Sequence, residues 1–194
     1  MHEIEMKARV QDRDEVGRAL DRFAVRSGSL VRDDRYFGTC EADTKKIRIR
    51  TERSGSGTRY LVTYKRKELH RTDKTTIEVN DERECTVSDP AALVAFLEDT
   101  GRTVQLEKHK EVVCWTAPVE LESPVPFGGP PMATFELCRV PPLGDFLEIE
   151  ILSPCDDPST VNAVHAALEA LLLKCGLSPA DIESRPYSLL LKGV

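Results

Sequence analysis

Charged residues recur two apart along this chain, and each such pair would share one face of a β-strand. Glu3, Glu5 and Lys7 open the sequence; Arg48 and Arg50, Glu82 and Glu84, Lys108 and Lys110, and Glu148 and Glu150 follow. Lys65 adds a cation two residues from Thr63. Side chains at i and i+2 project together from a strand. Carboxylates placed that way offer hard oxygen donors to Mg2+ or Mn2+. Arginine forks and lysine ammonium groups placed that way match phosphate oxygens. Acids and bases together suit a polyphosphate with its divalent cation, which polarises phosphoryl oxygens.

A plainer reading stands beside this one. An antiparallel sheet with one wet face also alternates charged and apolar residues. Three features favour a working face. Acids and bases mix strand after strand, and Arg and Lys stand where Thr would suit a solvated strand better. Helices are also available to cover the apolar face. If the sheet curls closed, the charges line a tunnel, which is tolerable only when they are paired or met by a ligand.

The elements that must carry these residues follow from periodicity. Glu3 to Val10 alternates strictly and reads as a strand. Asp12 fits a helix N-cap with Glu15 three residues on, and Val16, Ala19, Leu20 and Phe23 predict a helix to about Arg26. Strands are expected at Arg32–Gly38, Lys46–Glu52 and Arg59–Arg66, with a turn at Gly55–Gly57. Lys67–Lys74 is polar and reads as a loop, and Thr75–Val87 as extended chain. Asp89 and Pro90 start a second helix with Leu93, Val94 and Leu97 as its apolar stripe, ended by Gly101. Val104–Trp115 is a strand, and Ala117–Pro131, with five prolines, an irregular connection. Ala133–Val140 and Asp145–Leu152 are strands around a turn at Pro141, Pro142 and Gly144. Asp157 and Pro158 open a third helix, and Ser178 and Pro179 a last short one. Short turns between successive strands mean antiparallel pairing.

Bulk properties narrow the partners. A chain of 194 residues favours one domain, here 1–194. Its 27 basic and 33 acidic residues give a net charge of −6, against a general nucleic-acid or membrane-surface binder. No apolar run approaches the roughly 18–20 residues of a membrane span. No apolar h-region follows Met1, His2 and Glu3, so the expected location is the cytoplasm. The six cysteines form no CxxC pair and read as reduced thiols. The four histidines are scattered; His109 lies between Lys108 and Lys110 and is expected to face away from them. Gly128-Gly129-Pro130-Pro131 lacks the Lys-Ser/Thr of a phosphate loop.

The pentapeptide Glu3-Ile4-Glu5-Met6-Lys7 resembles the ExExK signature that opens the CYTH family, the triphosphate tunnel metalloenzymes. The resemblance continues in order through Arg35-Tyr36-Phe37, Arg48-Ile49-Arg50, Thr63-Tyr64-Lys65, Glu82-Arg83-Glu84, Glu107-Lys108-His109-Lys110 and Leu143 to Glu150. It implies an α+β fold: an eight-stranded antiparallel closed β-barrel, or tunnel, with flanking helices. It implies Glu3, Glu5, Glu148 and Glu150 as ligands of Mg2+ or Mn2+, with Glu82 and Glu84 as further candidates. Glu5, Glu148 and Glu150 would be catalytic. Lys7, Arg48, Arg50, Lys65, Lys108 and Lys110 would bind the phosphates. The ending Arg185-Pro186-Tyr187 with Leu190 and Leu191 resembles that of class IV adenylyl cyclases, and adds Arg185 to the substrate-binding set. Two departures stand out. Cys138 holds the place where the family usually has an Asp, and Arg66 follows Lys65 where a Gly is usual.

Three functions fit. The first is a class IV adenylyl cyclase-like conversion of ATP to cyclic AMP and pyrophosphate. The second is hydrolysis of inorganic triphosphate, thiamine triphosphate or a nucleoside triphosphate. The third is a module that binds a polyphosphate or phospho-ligand without turnover. The expected partner is a small molecule bearing a triphosphate, with no nucleic acid or membrane, and with room for a homodimer.

Overall fold

The computed structural model describes residues 2–39, 45–71, 76–121 and 130–193; for Lys45, 65–71 and 76–82 it describes the backbone path. Eight strands form one sheet in the order β1-β8-β7-β6-β2-β3-β4-β5. The strands are β1 (His2–Val10), β2 (Val25–Gly38), β3 (Lys45–Ser54), β4 (Gly57–Arg71), β5 (Thr76–Val87), β6 (Thr103–Pro118), β7 (Met132–Val140) and β8 (Gly144–Ser153). Four α-helices accompany them: α1 (Arg13–Leu20), α2 (Ala91–Asp99), α3 (Pro158–Lys174) and α4 (Tyr187–Leu190). The expected eight-stranded antiparallel sheet with flanking helices is present. Its described ladders run from β1 to β5 without joining those two strands, so they do not carry the expected closure. The chain forms two compact units, Met1–Ser29 with Glu111–Val194, and Leu30–Lys110.

In the first unit β8 lies between β1 and β7, antiparallel to both. Strand alternation sends Met6, Ala8 and Val10, Phe135 and Leu137, and Leu147, Ile149 and Ile151 to one buried face. α3 covers that face with Val164, Leu168, Leu171 and Leu172, and α1 with Val16 and Leu20. The Asp157 carboxylate caps α3, accepting from the Ser159 and Thr160 amides at 3.1 and 3.0 Å, as its place before Pro158 predicts. Asp12 caps α1 through the Glu15 amide at 2.9 Å. That helix ends at Leu20 rather than near Arg26, because β2 already begins at Val25. The turn between them aims Phe23 edge-on at Phe135, centroids 5.6 Å apart, and brings Asp21 to the Trp115 indole at 2.7 Å. The Val140–Gly144 turn closes with the Leu143 amide on the Val140 carbonyl at 2.7 Å; Gly144 supplies the positive φ of 99°.

In the second unit β2, β3, β4 and β5 pair as successive antiparallel neighbours. Phe37, Ile49 and Leu97 form its core, with Ile47, Leu93 and Val94 against them, so α2 buries the stripe read from the sequence. The expected start is corrected by one residue: Pro90, not Asp89, is the N-cap and Ala91 the first helical residue, although the Asp89 carboxylate still accepts from the Ala91 amide at 2.8 Å. The expected loop at Lys67–Lys74 is corrected as far as Arg71: β4 runs on to that residue, pairing one for one until Arg71 meets Thr76, and 72–74 lie outside the described residues. Backbone pairing here continues through a polar sequence that periodicity could not classify. Among the described residues Cys85, Cys114, Cys138, Cys155 and Cys175 are in no disulfide; Cys40 lies outside the described residues.

Phe135 is fully buried between β7's neighbours and the helices. Phe135→Ala should cost about 3–5 kcal/mol of stability, read as a lower urea midpoint.

Candidate functional site

The sheet's other face is polar in both units, with a different sign in each. In the first unit β1 presents Glu3, Glu5, Lys7 and Arg9. Across the ladder Glu5 stands opposite Glu150, and Lys7 opposite Glu148. On the far side of β8, Glu148 stands opposite Glu136 and Glu150 opposite Thr134. Five carboxylates thus share three neighbouring strands with one lysine. Ligand atoms of Glu136, Cys138 and Glu148 lie within 4.8 Å of one another. Cys138 is fully buried, and its Sγ donates to the Glu136 carbonyl at 3.3 Å. Cys138 therefore lies beside Glu136 and Glu148 in the carboxylate cluster.

Electrostatics confirm the crowding. Burial, and then the charges of Glu3, Glu5, Glu136 and Glu148, push Glu150 up to about 7. A divalent cation among these oxygens would remove that repulsion, so the donor set fits a hard metal with Cys138 as its one soft member.

In the second unit the face is basic and buried. Arg50 grips Asp34 with two bonds of 2.7 and 2.9 Å, and Lys108 Nζ lies 3.2 Å from the same carboxylate. Arg48 donates to Thr63 Oγ1 at 2.9 Å and Glu84 at 3.2 Å, and the Thr63 hydroxyl donates to Glu84 at 2.7 Å. Side chains of Arg48, Arg50 and Lys108 are only 12%, 11% and 8% exposed, and Lys110 is buried. A merely wet sheet face would leave them in water, so the plainer reading fails here. Burial pushes the Asp34 carboxyl up. The Arg50 hydrogen bonds and the charges of Lys108, Arg50 and Arg48 outweigh it and hold Asp34 well below the usual carboxylate range. Farther along, Glu52 takes Arg32 at 2.9 Å and Arg59. His109 bonds Asp33 at 2.7 Å while Lys108 meets Asp34, so His109 does face the other way.

The expected residues fall as follows. Glu3, Glu5, Lys7, Glu148 and Glu150 come together on β1 and β8, and Arg48, Arg50 and Lys108 around Asp34 and Thr63. Lys65 and Glu82 pair across β4 and β5 by backbone register, their side chains lying outside those described. Arg185 sits on Glu183, with bonds of 2.8 and 2.7 Å. Sequence reasoning missed Glu136, Asp34 and Thr63 as site members, and took Tyr187 only as part of the tail. Glu136 has Thr134 and Cys138 as its i±2 neighbours, so no charged pair marked it. Asp34 stood next to Asp33, and nothing in the pair told which faced inward.

The model of the CYTH domain family matches residues 1–187. This chain belongs to the CYTH family. Among solved structures, it resembles the PH1012 protein of Pyrococcus horikoshii, at 25% identity over 97% of this chain and 98% of the other, with a TM-score of 0.69. A "putative adenylate cyclase" from Vibrio parahaemolyticus is 19% identical over 99% and 98% of the two chains, with a TM-score of 0.71. HpAC1 from Hippeastrum, a "putative adenylyl cyclase" described as having a dominant triphosphatase activity, is 14% identical over 100% and 96%, with a TM-score of 0.62. No curated protein matches at a significant level. The latter two likenesses speak to the CYTH fold alone.

Glu150 gives a pH prediction. Its folded-state value lies above the ordinary carboxyl value of 4.5. Its contribution is therefore fully present below that pH and is lost as pH rises to and through about 7. The loss is on the order of 3 kcal/mol. Melting curves in a chelator should show the CYTH protein less stable above neutrality than in mild acid, and Glu150→Gln should flatten that difference.

Proposed function

We propose that this CYTH protein is a divalent-metal-dependent enzyme that binds a triphosphate and acts as a class IV adenylyl cyclase-like protein. One observation supports it most: a crowded carboxylate cluster, with Glu150 pushed up to about 7, occurs in the same chain as a buried basic group. The first calls for a divalent cation and the second for an anion. Glu3, Glu5, Glu136, Glu148 and Glu150 would hold Mg2+ or Mn2+. That ion, when bound, supplies positive charge to the phosphoryl oxygens. Arg48, Arg50, Lys108 and Lys110 would bind phosphates, with Lys7 and Lys65 as further cations. Arg50 and Lys108 are held by Asp34 and so need little reorganisation to meet an anion.

The cyclase chemistry is attack of a ribose 3′-OH on the α-phosphorus with release of pyrophosphate. The protein's part is alignment of that hydroxyl and stabilisation of the developing charge. The proposal includes a single domain over residues 1–194, closure of the sheet into a tunnel, and a cytoplasmic location. Family membership supports the first two; among the described residues no helix is long and apolar enough to cross a membrane. A second reading is hydrolysis of a triphosphate, with water attacking the terminal phosphorus. It is favoured by the triphosphatase activity named for the Hippeastrum relative.

The test follows both products. Purified protein with Mg2+ or Mn2+ and ATP should yield cyclic AMP and pyrophosphate. Phosphate release without cyclic AMP would replace the cyclase with the hydrolase, and retained tripolyphosphate binding without either product would leave a binding module. Glu148→Gln and Glu5→Gln should each lower metal-dependent turnover about a hundredfold or more with an unchanged circular dichroism spectrum. Arg48→Ala should weaken tripolyphosphate binding about tenfold, measured by calorimetry.

A further inference from the structure

The C-terminal segment returns to the polar face of the first unit. Ile182 bridges to Ala8, and the Glu183 amide donates to the Lys7 carbonyl at 2.8 Å, so the chain runs beside β1. The Glu183 carboxylate takes Arg9 at 3.1 and 2.9 Å and Arg185 at 2.8 and 2.7 Å. Arg185's hydrogen bonds, and then Arg9's, outweigh burial and hold Glu183 down at about 2, so this clamp stays charged. Beyond it the Arg185 carbonyl accepts from Lys7 Nζ at 2.5 Å.

Tyr187 comes next, and it touches both kinds of site residue. Its hydroxyl donates to Glu148 Oε1 at 2.5 Å. Its ring lies 4.3 Å from Lys7 Nζ and meets Phe146 edge-on, centroids 5.1 Å apart. A carboxylate has about four lone-pair sites, so one phenol fixes the plane of the group without exhausting it. Partners of this kind hold metal-ligating carboxylates in place. A ring beneath an ammonium restricts where the cation points.

We infer that Tyr187 is a positioning residue that works in two separable ways: its hydroxyl orients Glu148 for a divalent cation, and its ring orients Lys7 for phosphate. The inference rests on the reading that Glu148 holds the metal. It differs from a plain tail anchor, for which the hydroxyl would have no particular bearing on metal.

Two binding measurements test it without turnover. Free Mn2+ is followed by electron paramagnetic resonance, and metal-free tripolyphosphate binding by calorimetry in a chelator. Tyr187→Phe keeps the ring and should weaken Mn2+ about tenfold or more while leaving tripolyphosphate affinity unchanged. Tyr187→Leu should weaken both. Wild-type Mn2+ affinity in Tyr187→Phe overturns the inference, as does equal weakening of both ligands in that variant. If Tyr187→Leu does not fold, Tyr187→Phe carries the test alone. Glu148→Gln separates the two levels. If it binds Mn2+ as the wild type does, or if the wild type binds none, the metal reading of Glu148 falls and this inference with it. If Glu148→Gln loses Mn2+ while Tyr187→Phe keeps it, only the role of Tyr187 falls.

Discussion

Repulsion among carboxylates on three adjacent strands is the constraint from which the first unit is best understood. Strands lie about 4.8 Å apart, so Glu5 opposite Glu150, and Glu136 opposite Glu148, have little room to separate their charges. Burial, and then these neighbouring charges, raise Glu150 to about 7. Something must hold the register against that repulsion. The opposite face does so: Met6, Phe135, Leu147 and Ile149 are buried under α1 and α3. A slip of one residue would turn every carboxylate into that apolar core and every apolar side chain out. The hydrophobic effect thus fixes an arrangement that electrostatics alone would disperse.

The second unit solves the converse problem. Buried arginine and lysine repel one another, and a single carboxylate, Asp34, gathers two of them. Burial pushes its carboxyl up, but the Arg50 hydrogen bonds and the charges of Lys108, Arg50 and Arg48 outweigh it and favour the charged form. Arg50 meets it with two parallel bonds, which fix the guanidinium plane as well as its position. Arg48 is steadied by Thr63 and Glu84 instead. These long side chains are therefore ordered in the folded protein itself, and the cost of ordering them falls on folding.

How much of this could be read from the residues alone depends on the kind of signal. Period-two alternation marked β1, β3, β7 and β8 and the face on which Glu3, Glu5, Arg48, Arg50, Glu148 and Glu150 lie. Caps at Asp12 and Asp157 marked helix starts because the carboxylate-to-amide bond is local. Helix ends were harder: α1 stops early because β2 begins at Val25, and no residue announces that. The polar stretch after Arg66 hid the continuation of β4, since the partner that defines a strand lies elsewhere in the chain. Asp34 was illegible for the same reason. Only the pairing of β2 with β3 reveals that it, and not Asp33, faces Arg50.

Cys138 meets the same constraint from the side of β7. The position is fully buried and its ligand atom lies within 4.8 Å of those of Glu136 and Glu148. An aspartate there would add a sixth carboxylate to a cluster that already pushes Glu150 to about 7. The thiol that stands there has a backbone acceptor in the Glu136 carbonyl. A thiol at this position spares the fold that sixth carboxylate. It also offers a soft sulfur, which is a poor ligand for Mg2+. The sulfur that spares the fold a further carboxylate is thus also the one soft donor beside Glu136 and Glu148.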